Sequence, residues 1–368
     1  MNLAAIPAGY RPRTTRPIIL LGSGGIVRDA HLPAYRKAGF EVAGLYDIAA
    51  TKAASLARAF GIQRTFTTLA EAVGSAPAHC IFDVAVPASA LYGLIQQLPD
   101  GAAVLMQKPM GQNLEEAQAI CDLCHSKRLT AAVNFQLRFA PAALAARDII
   151  SRGLVGDVHD IEVRVNVYTP WDLWTFLESA PRVEILYHSI HYIDLIRSFL
   201  GDPGRVYAKT VKHPSTPKLA STRSNIILDY GDMLRANITT NHGHQFGPRH
   251  QESYVKWEGT RGAIKTRLGL LLDYPKGQPD EFEYTILEPD KPSEWQCLEI
   301  EGSWFPDAFI GSMASLMSFL DDAIDCLPTS VDDALKTMAT VEAAYESSAT
   351  GGTAVPQGFA TDLRHCAK

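Results

Sequence analysis

The first 140 residues alternate short apolar runs with longer segments whose apolar residues recur at helical spacing. Short apolar runs that end in glycine, proline or a polar residue are typical of parallel strands buried on both faces. Their alternation with helices predicts βαβ units and a parallel sheet. The predicted strands are residues 18–21, the segment before Asp47, and residues 81–86, 102–106 and 129–134, and the predicted helices are residues 49–60, 68–73, 91–98 and 113–127.

From about residue 141 the pattern changes, because apolar and polar residues now alternate with period two. This alternation is typical of half-exposed strands, and glycine-containing turns at residues 230–232 and 259–262 predict hairpins. The segment therefore predicts a large, mainly antiparallel sheet with few helices. The predicted strands are residues 160–168, 205–211, 224–230, 233–240, 253–259, 262–267 and 281–287, and the predicted helices are residues 142–152, 186–200, 309–325 and 330–348.

A glycine-rich turn directly follows the first apolar strand. Gly22, Gly24 and Gly25 lack a Cβ, which allows a tight turn, and Ile26 follows them at the start of the next helix. Backbone N–H groups in such a turn can approach a pyrophosphate closely. Asp47 comes 25 residues after Gly22, where a carboxylate can accept hydrogen bonds from ribose hydroxyls. Because no Arg or Lys directly follows Asp47, the turn predicts a dinucleotide site that favours NAD, with NADP left open.

Four of the predicted strands are followed by a polar or turn residue. These residues are Asp47, Pro87, Lys108 and Asn134. Ligands of parallel sheets bind at the carboxyl ends of the strands, so the four residues are expected to share one site. The candidate cofactor-binding residues are Gly22, Gly24, Gly25, Ile26, Asp47, Val86, Pro87, Gln107, Lys108 and Asn134.

Composition and charge argue against several classes of partner. The 368 residues carry 34 Lys and Arg against 40 Asp and Glu, a net charge of −6 without a basic block, which disfavours nucleic acid and anionic membranes. No apolar stretch approaches the roughly 20 residues that span a bilayer. Six cysteines without a regular framework, and no secretion signal, predict reduced thiols in the cytoplasm.

Two groups of residues have spacing that resembles a metal site. Cys121, Cys124 and His125 lie on one predicted helix, but no second pair at zinc-finger spacing accompanies them. The second group is His188, His191 and Asp194, with His242 and His244 further along the chain. Asp194 could orient His191, but we expect it to brace a neighbouring segment. Since a dinucleotide-dependent reaction needs no metal, ordinary packing is the favoured interpretation and no metal is predicted.

The glycine turn is followed by four further motifs, at residues 84–87 (VAVP), 104–109 (VLMQKP), 134–141 (NFQLRFAP) and 191–195 (HYIDL). Together they resemble the Gfo/Idh/MocA oxidoreductase family, which is named for glucose–fructose oxidoreductase and inositol dehydrogenase. The likeness covers residues 16–348. It implies an α/β Rossmann dinucleotide-binding domain (residues 16–140). Residues 1–15 before this domain lack a hydrophobic run and contain Arg and Pro, which predicts a flexible arm. An α+β substrate-binding and oligomerisation domain with a large open, mainly antiparallel β-sheet follows (residues 141–368).

The resemblance also implies catalytic residues. Lys108 lies within what is usually Glu-Lys-Pro, with Gln107 in place of Glu, and the family's catalytic histidine matches His191. Many members carry an Asp four residues before that histidine, where this chain has Tyr187 with His188 beside it. In the family chemistry His191 would take a hydroxyl proton, with Tyr187 or His188 as its helper. Lys108 would hold that hydroxyl and stabilise the developing negative charge.

Further residues near the predicted site have two interpretations each. Trp171 and Trp174 either wall a sugar-sized pocket or belong to the core. Arg138 alternates with Asn134 and Gln136, so in an extended chain the three point the same way. Arg138 then either contacts substrate or forms a salt bridge between domains. The candidate substrate-binding residues are Lys108, Asn134, Arg138, Trp171, Trp174, Tyr187, His188 and His191.

The resemblance implies an NAD(P)-dependent dehydrogenase or reductase that acts on a CH–OH group of a sugar, polyol, inositol or sugar-acid derivative. Two alternatives remain: a dinucleotide-binding sensor without turnover, and a redox-neutral, NAD-dependent lyase or glycosidase. Apolar alternate positions in the second sheet, which a single chain is expected to leave uncovered, favour a homodimer or homotetramer.

Overall fold

Six strands form the parallel sheet that was predicted for the first part of the chain: β1 (Ile18–Leu21), β2 (Val42–Tyr46), β3 (Thr65–Phe66), β4 (Ile81–Val84), β5 (Ala103–Met106) and β6 (Thr130–Val133). The computed structural model describes residues 9–274 and 276–353. The strand order is β3-β2-β1-β4-β5-β6, and every neighbouring pair is parallel. Because the order changes direction between β1 and β4, a crevice opens at the carboxyl ends of these strands.

Five helices connect these strands: α1 (Leu32–Ala38), α2 (Ala50–Phe60), α3 (Leu69–Gly74), α4 (Ala88–Ile95) and α5 (Leu114–Ser126). The helix after the glycine turn begins with a π-helical turn at Val27–His31. Pro33 lies in the first turn of α1 and has no N–H for a regular helical bond to the preceding turn, which accounts for this start. Thr68 and Asn113 cap α3 and α5 with their side chains.

Eight strands form the second sheet: β7 (Val158–Asn166), β8 (Arg205–Val211), β9 (Arg223–Asp229), β10 (Arg235–Asn241), β11 (Glu252–Gly259), β12 (Gly262–Arg267), β13 (Glu281–Ile286) and β14 (Gln296–Cys297). Their order is β14-β13-β12-β11-β7-β10-β9-β8. Only β7 and β10 pair in parallel, so the sheet is mainly antiparallel as predicted. The two predicted hairpins are β9–β10 and β11–β12.

The remaining α-helices are α6 (Pro141–Ser151), α7 (Ile190–Leu200), α8 (Asp307–Leu320) and α9 (Val331–Thr350). The last two return to the first sheet, because α8 packs against α1 and α9 packs against α5. Phe309, Met313 and Leu316 of α8 share one hydrophobic core with Ile18 and Leu20 of β1. The C-terminal helices thus bury apolar surface of the cofactor-binding half, while the division of the chain at residue 140 stays a prediction.

The end of α8 differs from the prediction and lies beside the N-terminal arm. Asp322 has a positive φ of 55°, which ends the helical path, so α8 stops at Leu320 instead of residue 325. Thr14 N donates to Asp321 Oδ2 at 3.1 Å, and Arg16 Nη2 donates to Leu320 O at 2.9 Å. Thr14 of the predicted flexible arm therefore contacts Asp321, the residue directly after α8, and residues 1–8 lie outside the described residues.

The two faces of the second sheet differ in polarity. Apolar alternate residues such as Ile238 and Val255 are fully buried, and α7 and α9 pack against this sheet. The opposite face carries ion pairs such as that of Arg164 with Glu252. The chain's own helices therefore cover apolar alternate positions on this face that a single chain was expected to leave uncovered. The open face retains half-exposed apolar side chains, among them Tyr207 at 52% and Ile227 at 47%.

Across residues 9–274 and 276–353, no helix combines the length and apolar character needed to cross a membrane. Five cysteines fall within these ranges, and all five are free thiols. Cys366 lies outside the described residues.

Candidate active site

The glycine turn lines the crevice between β1 and β4. Gly22 has a φ of +116°, and a Cβ at this position would lie 2.3 Å from Ala85 O, so glycine is required here. A Cβ at Gly24 would meet nothing within 4 Å, and both Gly24 and Gly25 are exposed. Ile26 follows them and precedes the π-helical turn. The turn thus joins two strand ends closely and keeps its outer backbone open, which suits a pyrophosphate.

Asp47 lies directly after β2, at the same edge of the sheet. Its Oδ2 accepts hydrogen bonds from the backbone N–H and the hydroxyl of Ser23, each at 2.7 Å, and its Oδ1 accepts from Ala49 N at 2.7 Å. These bonds tie the carboxylate to the glycine turn. Val86 and Pro87 follow β4, where Pro87 is exposed ahead of α4. The structure therefore brings the candidates from three strand ends to one edge, and the residues present fit a dinucleotide.

Gln107 and Asn134 lie in a buried polar network instead of at the open edge. Asn134 Nδ2 donates to Gln107 Oε1 at 3.1 Å, and His31 Nε2 lies 3.3 Å from the same oxygen. His31 Nδ1 is 2.7 Å from Asp83 Oδ2, which also accepts from the Tyr35 hydroxyl at 2.7 Å. His31 and Asp83 were not predicted as site residues, although Asp83 is an acidic residue within the otherwise apolar strand β4. The network holds the ends of β4, β5 and β6 together.

Lys108 connects the two halves of the site. It follows β5, and its Nζ donates to the backbone oxygen of Tyr187 at 2.8 Å. Burial lowers the pKa of Lys108 to about 8. A lysine with a pKa in this range can hold or release its proton near neutral pH, so Lys108 can serve both charge stabilisation and proton transfer.

His191 lies on α7, in the second half of the chain, and is the second candidate acid–base residue. The predicted helix is present, but its first turn, Ile185–Ser189, is π-helical before α7 begins. His191 is 8% exposed, its ring packs edge-on against Trp304, and its Nδ1 has no hydrogen-bond partner within the described ranges. Burial, followed by the charge of Lys108, places the pKa of His191 well below its usual value. This neutral imidazole can accept a proton.

The two tryptophans pack against His188, which follows Tyr187 in the chain. Tyr187 contacts Lys108 through its backbone, while its ring packs edge-on against Phe176 at 5.8 Å between centroids. Burial raises the pKa of the Tyr187 hydroxyl, which disfavours its ionised form. Trp171 and Trp174 approach His188 at 4.9 Å and 6.4 Å between ring centroids. Trp171 is nearly buried in a small hydrophobic core, whereas Trp174 stays partly exposed beside His188.

Arg138 is engaged in a buried ion pair. The chain is not extended here, because Gln136–Phe139 forms a 3₁₀ helix. Arg138 Nε and Nη2 donate to the Asp194 carboxylate at 2.5 Å and 2.6 Å, and Nη2 also lies 2.6 Å from Asp333 Oδ2. Burial lowers the pKa of Arg138, but the two carboxylates raise it more, so the guanidinium stays charged. The structure replaces the predicted substrate contact of Arg138 with the salt-bridge interpretation, in which Asp194 braces a neighbouring segment.

Two buried residues beside His188 were not predicted as site residues. His242 packs against His188 with 4.5 Å between ring centroids, and its Nε2 lies 3.5 Å from Glu184 Oε1. The sequence showed His242 only as a histidine further along the chain, and nothing in it singled out Glu184. No local pattern indicates that the two meet, because they come from different elements of the fold.

The structure separates one of the two residue groups with metal-like spacing and brings part of the other together. Asp194 binds Arg138 through both carboxylate oxygens and so does not complete a ligand set with His188 and His191. Cys121 and His125 meet a residue that the sequence did not indicate, Asp332, with their ligand atoms within 4.8 Å of one another. His125 Nε2 lies 3.1 Å from Asp332 Oδ1 at the surface, so these two residues contact each other directly.

Comparison with known proteins identifies both halves of the chain. Residues 17–135 match the family described as "Oxidoreductase family, NAD-binding Rossmann fold". Residues 143–265 match the "GFO/IDH/MocA C-terminal domain". The two matches include all strands of the first sheet and most strands of the second.

Individual relatives are more distant. A D-apiose dehydrogenase of Paraburkholderia graminis is 25% identical over 91% of this chain and 88% of its own length. A 1,5-anhydro-D-fructose reductase of Ensifer adhaerens is 27% identical over 70% of this chain and 77% of its own length. An oxidoreductase of Agrobacterium radiobacter, solved with NAD⁺, L-tartaric acid and magnesium, shares the fold with a TM-score of 0.77 at 21% identity, covering 92% of this chain and 98% of that one. With an NAD-type crevice and both domains matched, the chain belongs to the Gfo/Idh/MocA family of NAD-binding oxidoreductases.

Proposed function

We propose that the protein oxidises a hydroxyl group of a sugar, polyol, inositol or sugar acid, with NAD as the acceptor. The observation that carries this proposal is the contact of Lys108 Nζ with Tyr187 O at 2.8 Å, which joins the NAD-binding sheet to the helix of His191. A lysine and a neutral imidazole beside a dinucleotide crevice are the groups that removal of a hydroxyl proton requires. The names of the D-apiose and anhydrofructose relatives support a sugar as the substrate class.

The chain's own residues handle the proton and the charge. When bound, NAD would accept a hydride, that is, a proton with two electrons, from the substrate carbon. His191 Nδ1, unpaired within the described ranges, takes the proton of the substrate hydroxyl. The Lys108 ammonium donates a hydrogen bond to the same oxygen and stabilises its developing negative charge. Gly24 and Gly25 receive the pyrophosphate, and Asp47 accepts hydrogen bonds from the ribose.

A substrate panel tests this proposal. The purified protein is mixed with NAD and individual sugars, polyols, inositols and sugar acids, and NADH is followed by absorbance. Formation of NADH with at least one of them is the expected result. Release of a leaving group without net NADH would instead indicate a redox-neutral lyase or glycosidase. Binding of a sugar without any chemical change would indicate a sensor.

Asp47 is expected to make the protein prefer NADH over NADPH by about tenfold or more in dissociation constant. Its carboxylate, tied to the glycine turn through Ser23, would repel a 2′-phosphate. Asp47→Ser should bring the dissociation constants of NADPH and NADH closer together, as measured by fluorescence titration. Asp100→Asn, at the opposite edge of the sheet, is the control and should leave the ratio of the two constants unchanged. Equal or tighter binding of NADPH by the wild type would refute this assignment.

A homodimer or homotetramer is expected to form through the open face of the second sheet. Tyr207 and Ile227 leave apolar surface exposed on neighbouring strands of this face, which favours association. Ile227→Asp should shift the mass measured by light scattering towards the 40.1 kDa monomer. Tyr92→Asp, a half-exposed apolar residue on α4, should not. A wild-type monomer at micromolar concentration would exclude this arrangement.

A further inference from the structure

A thiol, an imidazole and a carboxylate meet where α5 packs against α9. Cys121 and His125 are four residues apart on α5, so they share one face of this helix, and Asp332 lies in the first turn of α9. Their ligand atoms all lie within 4.8 Å of one another. Within the part of the chain that the structure describes, no other group of three such side chains is close enough to hold one ion. Cys124, on the same helix, is fully buried and lies outside the group.

The spacing of the three ligand atoms matches the edges of a tetrahedron around a metal ion. His125 Nε2 lies 3.1 Å from Asp332 Oδ1, and Cys121 Sγ lies 3.8 Å from the same oxygen. The bond lengths of a tetrahedral zinc site place nitrogen and oxygen about 3.3 Å apart, and sulfur and oxygen about 3.6 Å apart. The observed distances differ from these values by only a few tenths of an ångström. An ion therefore needs only small side-chain movements to enter the group.

The first turn of α9 holds Asp332 in a fixed place. Asp333, the next residue, accepts a hydrogen bond from Arg138 Nη2 at 2.6 Å. Just before the helix, Thr329 O accepts from Val133 N at 2.8 Å, which ties this turn to the end of β6. Two of the three ligands thus share one helix, and the third lies on an anchored turn. Because the ligands are already held close together, little conformational freedom is lost when they bind an ion.

The ligand types favour zinc among the common divalent cations. Mg²⁺ and Ca²⁺ prefer oxygen ligands, whereas Zn²⁺ binds sulfur, nitrogen and carboxylate oxygen in tetrahedral sites. One thiolate and one carboxylate also balance the two positive charges of the ion. Burial, followed by the charge of Asp332, raises the pKa of Cys121 to about 11, so the thiol holds its proton at neutral pH. This proton leaves to water as the Zn–S bond forms, and His125 binds through Nε2 as a neutral imidazole.

We propose that Cys121, His125 and Asp332 form a zinc site that fastens the start of α9 to α5, with water in the fourth position. Asp332 follows His125 by 207 residues, so the third ligand is visible only in the fold. None of the three ligands belongs to the proposed active site. The zinc site therefore does not rest on the proposed function, and each can fail without the other.

Cobalt(II), which takes the same tetrahedral ligands, reports on the site by its colour. The full chain is freed of metal with a chelator, dialysed and titrated with Co²⁺ at neutral pH while its absorption spectrum is recorded. A thiolate-to-cobalt charge-transfer band and the d–d bands of tetrahedral cobalt should saturate at a single ion per chain and disappear when Zn²⁺ is added. Cys121→Ser should abolish the charge-transfer band. His125→Ala and Asp332→Asn should each weaken zinc binding by about tenfold or more, since removing even a residue that supports a metal ligand costs this much.

Cys297→Ser is the matched control for the thiol. Cys297 Sγ also lies beside a carboxylate, 3.9 Å from Glu283 Oε1, but it belongs to no group of three. This variant should keep the band and the stoichiometry. A wild type without a charge-transfer band, or a band that persists in Cys121→Ser, overturns the proposal and leaves ordinary packing as the explanation. If Cys121→Ser does not fold, the two variants of the exposed ligands His125 and Asp332 decide the matter.

Hydrogen exchange tests whether the ion fastens the two helices. At saturating Zn²⁺, the backbone amides in the first turn of α9 and the last two turns of α5 should exchange more slowly, because opening either helix would break a bond to the metal. The melting temperature should rise with the zinc concentration in the wild type. Both effects should be absent in Asp332→Asn and present in Cys297→Ser. Zinc binding that changes neither quantity in the wild type would mean that the ion does not join the helices, and this overturns the proposal.

Discussion

Lys108→Ala and His191→Ala are each expected to lower kcat for the best substrate of the panel by about 10²-fold or more, the scale for losing a positioned acid–base group. Lys108 would no longer stabilise the oxygen that loses its proton, and His191 would no longer receive that proton. NADH affinity should change little, because neither side chain belongs to the glycine turn or contacts Asp47. Initial rates and fluorescence titration of NADH measure the two quantities separately.

A control variant and two contrary outcomes test the assignment of Lys108 and His191. Lys52→Ala, an exposed lysine on α2 outside the site, should keep wild-type turnover. Near-normal turnover in both Lys108→Ala and His191→Ala would refute the assignment of the site. Loss of NADH binding in either variant would mean that the residue supports the structure of the cofactor crevice. Tyr187→Phe and His188→Ala then decide between the two helpers, because loss of the true helper should lower kcat about tenfold or more and loss of the other much less.

The pH dependence of Lys108 has a defined direction. With a pKa of about 8, the side chain is an ammonium below this pH and loses its charge above it. Because the ammonium is assigned to charge stabilisation, kcat should fall as the pH rises through about 8. Lys108→Arg keeps its charge across this range and, whatever its absolute rate, should not show this alkaline limb. A wild-type rate that rises steadily through the same range would contradict this role.

Asp194→Ala is expected to lower the free energy of unfolding by about 3–5 kcal/mol, the range for removing one partner of a buried ion pair. The buried guanidinium of Arg138 would lose two short hydrogen bonds, at 2.5 Å and 2.6 Å. Asp333, which is 30% exposed and also contacts Arg138, should hold the loss towards the lower end of that range. Urea denaturation followed by fluorescence and circular dichroism measures the change.

Asp202→Ala is the matched control, since Asp202 also binds a nearly buried arginine, Arg197, but is half exposed itself. Removing such an exposed carboxylate should lower the free energy of unfolding by at most about 1 kcal/mol. Equal effects of the two substitutions would show that burial does not set the strength of the Arg138 pair. The loss of unfolding free energy in Asp194→Asn should lie between those of the two alanine variants, because asparagine keeps the shape and one acceptor oxygen but removes the charge.

Local sequence patterns predicted most of the backbone correctly. β1, β8 and β12 have the predicted bounds, and the other long strands differ by a few residues. Strand alternation and glycine turns are properties of neighbouring residues, so they are visible without the fold. The prediction of an extended chain at residues 134–138 was wrong for the same reason. The alternating polar residues resemble a strand, but the chain forms a 3₁₀ helix from Gln136.

The sequence by itself determined the two sheets, the glycine turn with Asp47, and the candidacy of Lys108 and His191, because these depend on periodicity, backbone freedom and recognisable motifs. Only the tertiary structure decided which side chains meet. Arg138 and Asp194 are 56 positions apart, and Lys108 and Tyr187 are 79 apart, so no local pattern could pair them. The fold also brought Glu184 and His242 to His188. A buried charge is unfavourable unless an opposite charge or hydrogen bonds compensate it, and the sequence alone does not show which residues are buried together.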